Sequence, residues 1–304
     1  MKYTKPPLPI DDQITLLISR GLDIEDRDRA AHYLYHLNYY RLSGYMLPFQ
    51  EGADHHFRTG TTFEQVLNLY LFDRKLRLLL MDAIERIEVS VRTQWAFHLA
   101  HKYGAHAYLE KEIFRDDRRY LKSISKLSDE YERSKETFIE HYRKTYDEPH
   151  MPPLWVVCEI MTLGHLSAFY QNIKEPQDRQ MIAEVYGLDE KVLTSFLHHL
   201  SHVRNLCAHH SRIWNRRFTI TATLPKKKPA CLQPFLNREA LRNVYNTLVL
   251  MRYIMAITCP GSKWEERLIE LLKEHSEVDP AAMGFPSVWD KMRIWNDGEW
   301  HPDK

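Results

Sequence analysis

The sequence predicts an all-α fold, and three observations carry that expectation. Glycine is scarce, at 10 of 304 residues, which suits a helical protein better than a barrel or an open doubly wound sheet. Apolar residues recur at helical spacing over long stretches, most clearly in residues 62–103. Long alternating β-branched runs, the mark of half-buried strands, are missing.

The elements follow in order. Pro6, Pro7 and Pro9 predict an extended arm over residues 1–10, since proline blocks a helix there. Asp11 and Asp12 open a first helix that Gly21 closes, and a second starts near Asp26 with Ala31, Leu34 and Leu37 on its apolar side. An aromatic-rich segment, residues 32–50, ends at Pro48, and residues 49–61 are turn-rich with room for a short hairpin. The longest helix is expected over residues 62–103, with Phe63, Val66, Leu67, Tyr70, Leu76, Leu80, Ile84, Ile87, Val91 and Trp95 in helical register and Gly104 as its stop. A helix strongly charged on one side follows over residues 118–146. Pro149, Pro152 and Pro153 punctuate, and a single helix is expected over residues 154–173. Gly187 and an Asp189 cap open the next, which an irregular stretch follows, with Lys226, Lys227, Lys228 and Pro229 as an exposed basic turn. Final helices are expected over residues 238–257 and 263–275, then a tail, residues 289–304, with three tryptophans and little regular pattern. The implied divisions are residues 1–60, 61–260 and 261–304, with no repeats and no low-complexity tract.

Composition narrows the function. Forty-two bases nearly cancel 41 acids, which argues against a histone-like polycation and leaves room for a local basic groove. The cysteines Cys158, Cys207, Cys231 and Cys259 make no Cys-x-x-Cys pair, as expected of reduced thiols. The first residues carry Lys2 and Lys5 beside prolines and acids, with no apolar signal core, and the most apolar stretch, residues 78–84, is interrupted at Asp82 and bounded by Arg77 and Glu85. No membrane segment is expected, and the expected compartment is the cytoplasm.

The chemistry concentrates in Arg204-Asn205-Leu206-Cys207-Ala208-His209-His210. On a helix of about 100° per residue, Leu193, Phe196, Leu197, Leu200, Val203 and Cys207 share a buried arc, and His198, His202, Asn205 and His209 share the opposite one. Arg204 stands at the edge of the buried arc, roughly 140° from His209. Ser201, Asn205 and Ala208, all short, lie between them, so a long guanidinium can lean across. Such a set suits RNA, which carries its own nucleophile. An imidazole exchanges the proton of the 2′-hydroxyl or of the leaving 5′-oxygen, and an arginine fork holds the phosphate oxygens. No glycine-rich loop or acidic cage is present, so neither cofactor nor metal is expected. The bare spacing is common in a chain with 17 histidines and recurs from Arg27 to His32, Arg29 to His36, Arg92 to His98 and Arg143 to His150.

Four blocks add specificity. Residues 31–45 (AHYLYHLNYYRLSGY), residues 72–77 (FDRKLR) with 84–88 (IERIE), Pro153-Leu154-Trp155 through Gly164-His165-Leu166, and residues 203–215 (VRNLCAHHSRIWN) together resemble, in the right order, bacterial abortive-infection (Abi) proteins of the AbiD/AbiF type. The resemblance spans roughly residues 10–260. That family is similar to HEPN-domain proteins, whose arginine-x4–6-histidine motif marks metal-independent ribonucleases. The resemblance implies an all-α, HEPN-like helical bundle with additional N-terminal and C-terminal helices, a role in phage defence as a toxin, and RNA as substrate. It implies a homodimer, because HEPN nucleases commonly face two motif copies and this chain has one, and it suggests a small structured RNA as regulator. Arg204, Asn205 and His209 are then the catalytic set, with His210 as an alternative imidazole.

Other residues are weighed beside these. Glu88, next to the apolar stripe of the long helix, either orients Arg204 or makes an ordinary ion pair. Arg212, Arg216, Arg217, Lys226, Lys227 and Lys228, with Trp214 among them, suit a single-stranded RNA track or a solvated loop over a buried tryptophan. His198, His202 and His209 have the spacing of a zinc site, the basis of a metallohydrolase reading, although no acid or cysteine obviously completes it. A nuclease-inactive module that binds RNA or a partner is the main alternative to an enzyme.

Overall fold

The computed structural model describes residue 2, residues 6–296 and residues 300–302. Among the described residues the regular secondary structure is helical apart from one small hairpin and two isolated bridges, so the fold is all-α. Part of the expected N-terminal arm and part of the C-terminal tail, residues 1, 3–5, 297–299 and 303–304, lie outside the described residues.

The chain divides into two compact units, residues 1–76 with 271–278, and residues 77–270 with 279–304. In the first unit, α1 (Ile10–Ser19) packs against α2 (Arg27–Leu37), which Asp26 caps by accepting the Arg29 N–H at 2.9 Å. Asn38, at φ 69°, turns the chain directly into α3 (Tyr39–Met46). The aromatic segment is therefore built on two helices with an asparagine of positive φ between them. The expected hairpin is present, β1 (Gln50–Glu51) antiparallel to β2 (His56–Phe57). α4 (Phe63–Tyr103) is continuous and ends before Gly104, whose φ of 96° permits the stop. Its residues up to Leu76 belong to the first unit, where the buried Asp73 accepts the Tyr45 hydroxyl at 2.6 Å.

The second unit holds the rest. Where one helix was expected over residues 118–146, α5 (Asp117–Arg133) and α6 (Thr137–Thr145) are separated at Ser134, whose hydroxyl accepts the Glu136 N–H at 3.3 Å. Residues 154–173 likewise split into α7 (Leu154–Ile160) and α8 (Leu163–Asn172), because Thr162 caps the second helix through the His165 N–H. The sequence reading missed α9 (Pro176–Glu184). α10 (Glu190–Ala208) packs on α8 and α9, and α8 in turn packs on α5. α11 (Tyr245–Thr258) is shorter than expected, since Asn237 and Asn246 bond the backbone around residues 237–240 and hold it out of a helix. α12 (Trp264–Glu274), whose residues from Leu271 onward belong to the first unit, and α13 (Arg293–Asn296) complete the order. All four cysteines are free thiols, Cys158 and Cys207 buried and Cys231 and Cys259 half-buried. Among the described residues no helix is long and apolar enough to cross a membrane.

Candidate active site

α10 is fixed at both ends and in the middle. At its start Asp189 caps the Lys191 N–H at 2.9 Å, and Glu190 pairs with Arg179 at 2.7 Å with both side chains nearly buried. Arg179 also donates to the carbonyls of Ile173 and Lys174, so the ion pair is hydrogen-bonded on its cationic side. In the middle His199 is 2% exposed. Its Nδ1 lies 2.7 Å from the Ile220 carbonyl and its Nε2 2.7 Å from the Thr247 hydroxyl. A carbonyl only accepts, so Nδ1 carries the proton and Nε2 accepts from threonine. Burial pulls this imidazole down to about 4, despite the opposing hydrogen bond to Ile220. His199 is therefore a neutral structural anchor. The expected apolar arc holds, with Leu193, Phe196, Leu197, Leu200, Val203 and Cys207 all buried.

The helix ends in a Schellman motif. His209 is the C-cap, the His210 N–H reaches the Cys207 carbonyl at 3.0 Å, and the Ser211 N–H reaches the Leu206 carbonyl at 2.8 Å. His210 takes the left-handed position at φ 56°, which glycine or asparagine usually fills. The His209 N–H still bonds the Asn205 carbonyl at 2.9 Å, which keeps His209 one turn above Asn205 on the same face. The helix neither frays nor kinks before His209, so the motif keeps close to its ideal angular spread. Both imidazoles are exposed.

Arg204 is half-buried and lines an open cleft of about 500 Å³ with Met81, Asp82, Ile84, Glu85, Glu88, Val89 and Arg92. Asn205, His209 and His210 are not part of that lining. Arg204 Nη1 lies 3.5 Å from Asn205 Oδ1, a long side-chain contact within the motif. The acids of the cleft are largely compensated. Burial pushes the Asp82 carboxyl up, but hydrogen bonds from Arg267 and Arg86 outweigh it and leave the carboxyl below its ordinary value. Glu88 pairs with Arg92, one turn along the same helix, and Arg92 also donates to the Met161 carbonyl. The nearer i,i+4 partner takes the Glu88 carboxylate, and no bond from it to Arg204 is present among the described residues.

The remaining expected residues scatter. Trp214 is 5% exposed and belongs to the core beside Ile213, so it offers no free face to a base. Arg216 is half-buried and donates to the Arg212 carbonyl at 3.2 Å. Arg217, Lys226, Lys227 and Lys228 are exposed. Burial lowers His202, helped by the positive charge of Arg216 and by His198, so these three groups share one neighbourhood. Among the described residues no three histidine, cysteine, aspartate or glutamate side chains converge as a metal-holding group, so the His198, His202 and His209 stripe does not form the zinc site that its spacing allowed.

Sequence reasoning passed over one readable signal. Residues 191–238 contain no aspartate or glutamate and nine lysines and arginines, in a chain almost balanced in charge as a whole. It also passed over Arg115, which with Lys191 and His198 lines a separate cleft at the start of α10.

Against known proteins, a family model described as Abi-like protein matches residues 32–215. That segment runs from α2 to just beyond the Schellman end of α10 and covers more than half of the chain. No curated protein and no solved structure gives a significant match.

Proposed function

Since this chain belongs to the Abi-like protein family, whose membership points to abortive infection in phage defence, we propose that it is the toxin of such a response, a cytoplasmic, metal-independent, HEPN-type endoribonuclease acting as a homodimer. The carrying observation is the end of α10. A half-buried guanidinium at a cleft edge reaches toward an exposed amide, and an exposed imidazole follows one turn above that amide.

In this reading Arg204 holds the non-bridging oxygens of the scissile phosphate and stabilises the charge that builds on them. Asn205 donates to the same phosphate or steadies the imidazole. His209 of one protomer takes the 2′-hydroxyl proton as that oxygen attacks phosphorus. His209 of a second copy gives its proton to the departing 5′-oxygen. The products carry a 2′,3′-cyclic phosphate and a 5′-hydroxyl. The pairing of two copies draws on the family resemblance, in which two motif copies face each other, and on the single convincing motif of this chain.

The test is cleavage of end-labelled RNA in excess EDTA by the wild-type chain and by Arg204→Ala and His209→Ala. Wild-type cleavage that survives EDTA, with each variant down by at least about a hundredfold, supports the reading. Equal activity in all three rejects the site, and loss of wild-type activity in EDTA rejects the mechanism. A second reading, an RNA-binding module without turnover, draws on the absence of His209 from the cleft that Arg204 lines. It predicts salt-dependent binding and no cleavage by the wild type in any buffer.

A further inference from the structure

The cleft at the start of α10 measures about 260 Å³ and is lined by Arg115, Gln171, Arg179, Glu190, Lys191, Thr194, Ser195, His198 and Thr221. Its charge differs from that of the other clefts. Arg179 and Glu190 neutralise each other at 2.7 Å. Arg115 and Lys191 are exposed and make no ion pair among the described residues, so the lining keeps two uncompensated cations beside neutral hydroxyls, an amide and an imidazole. The cleft around Glu130, Glu136 and Glu159 has only Arg133 against three carboxylates, and the one around Asp11 and Asp28 has no lysine or arginine. A cleft of one sign of charge concentrates ions of the other.

This cleft is also joined to the candidate active site by one face of one helix. Lys191, Ser195, His198, His202, Asn205 and His209 follow each other at steps of four, three, four, three and four residues. That spacing keeps them in one stripe. None of the six is buried, while the opposite arc is core. At about 1.5 Å of rise per residue the stripe is roughly 27 Å long. No carboxylate interrupts it, and Arg216 stands beside its middle, at His202. A strand of phosphates is the ligand that matches a long, narrow, acid-free row of cations and polar groups.

We propose that the cleft formed by Arg115, Lys191 and His198 is a phosphate subsite for single-stranded RNA, and that the strand runs from it along this stripe of α10 to the His209 end. The proposal rests on the ribonuclease reading for what happens at His209, but not for the binding itself. It names the substrate class as RNA long enough to follow most of α10, and it gives the chain a hold on the strand remote from the scissile bond.

The experiment is fluorescence anisotropy with a labelled single-stranded RNA of mixed sequence, titrated with the full chain across a salt series. Its arms are wild type, Arg115→Ala with Lys191→Ala, and a control pair, Lys122→Ala with Lys135→Ala, that removes two exposed cations from other elements. Melting curves verify that each variant is folded, and Arg115→Lys with Lys191→Arg serves as the conservative version. The expected result is at least about a tenfold loss of affinity in the first pair, and a slope of log affinity against log salt shallower by about 1.4, the value for two phosphate contacts on a single strand. The control pair and the conservative pair should stay within about threefold of wild type. Unchanged affinity and slope in the Arg115 and Lys191 pair would overturn the subsite, and so would an equal loss in the control pair. RNA bound through this subsite but never cut would fail the catalytic reading and leave the subsite standing. No RNA binding by the wild type would end both.

Discussion

His199 shows how one side chain couples the scaffold to pH. Its imidazole lies near 4 in the folded chain because it is buried, whereas an unfolded histidine titrates near 6.5. Between these values the unfolded chain binds the extra proton, so the stabilising contribution is complete above about pH 6.5 and declines as pH falls toward 4. The full span is worth roughly 3 kcal/mol for this group. Burial also lowers His98, His106, His165 and His275, which adds to the same slope. Urea midpoints measured from pH 7 to pH 4.5 should fall steadily in the wild type and less steeply in His199→Gln. Parallel slopes would remove His199 as the source. The sequence could not announce this role. A histidine three residues from Phe196 and four from Ser195 reads equally well as wet or dry, and only the approach of Ile220 and Thr247 from distant segments decides it.

At the scale of the element, α10 was the most legible part of the chain and its end the least. The Asp189 cap and the apolar arc could be read directly, because each depends on neighbours a few positions away. The stop could not, since histidine fills the left-handed place. For a side chain with a Cβ that conformation costs roughly 1–2 kcal/mol, while the greater freedom of glycine in the unfolded chain returns about 0.4–1 kcal/mol of that. His210→Gly should therefore leave stability unchanged or raise it by up to about 1.6 kcal/mol, as read from urea unfolding. A loss larger than that would mean that the imidazole itself holds the turn. The same variant assayed for RNA cleavage separates the two candidate imidazoles, since activity that survives it leaves His209 as the reacting group. The splits at Ser134 and Thr162 have a local cause as well, hydroxyls that bond the backbone in competition with helix continuation. α9 had a readable start, Pro176 at its first position and Asp178 in its first turn, that was passed over.

For the whole molecule, the all-α class followed from composition and periodicity, and the candidate catalytic set from a short motif within the matched family segment. What could not be read was which side chains share a space. Trp214 lies in the core and Arg115 stands beside Lys191, both outcomes of long-range packing, whereas the hold of Arg92 on Glu88, one turn away on the same helix, was open to reading. The proposed partnership of two copies is tested at this scale. Val89, on the wall of the Arg204 cleft, is 54% exposed, as is much of Leu78 further along the same helix, an apolar edge that a second copy would cover. Sedimentation equilibrium should give twice the chain mass of 36.3 kDa. Cleavage per chain should fall on dilution through the range where the dimer separates. A monomer at all concentrations with constant specific activity would refute the shared site.

The run from Lys191 to Arg238 holds nine lysines and arginines and no acid. Where its exposed cations, Lys191, Arg217, Lys226, Lys227 and Lys228, face solvent with no acid of the segment beside them, small mobile anions are drawn in from solution. A polyanion that settles there sends those ions back to bulk solvent together with the cations shed from its own backbone, and the resulting gain in disorder favours docking before any specific contact has formed.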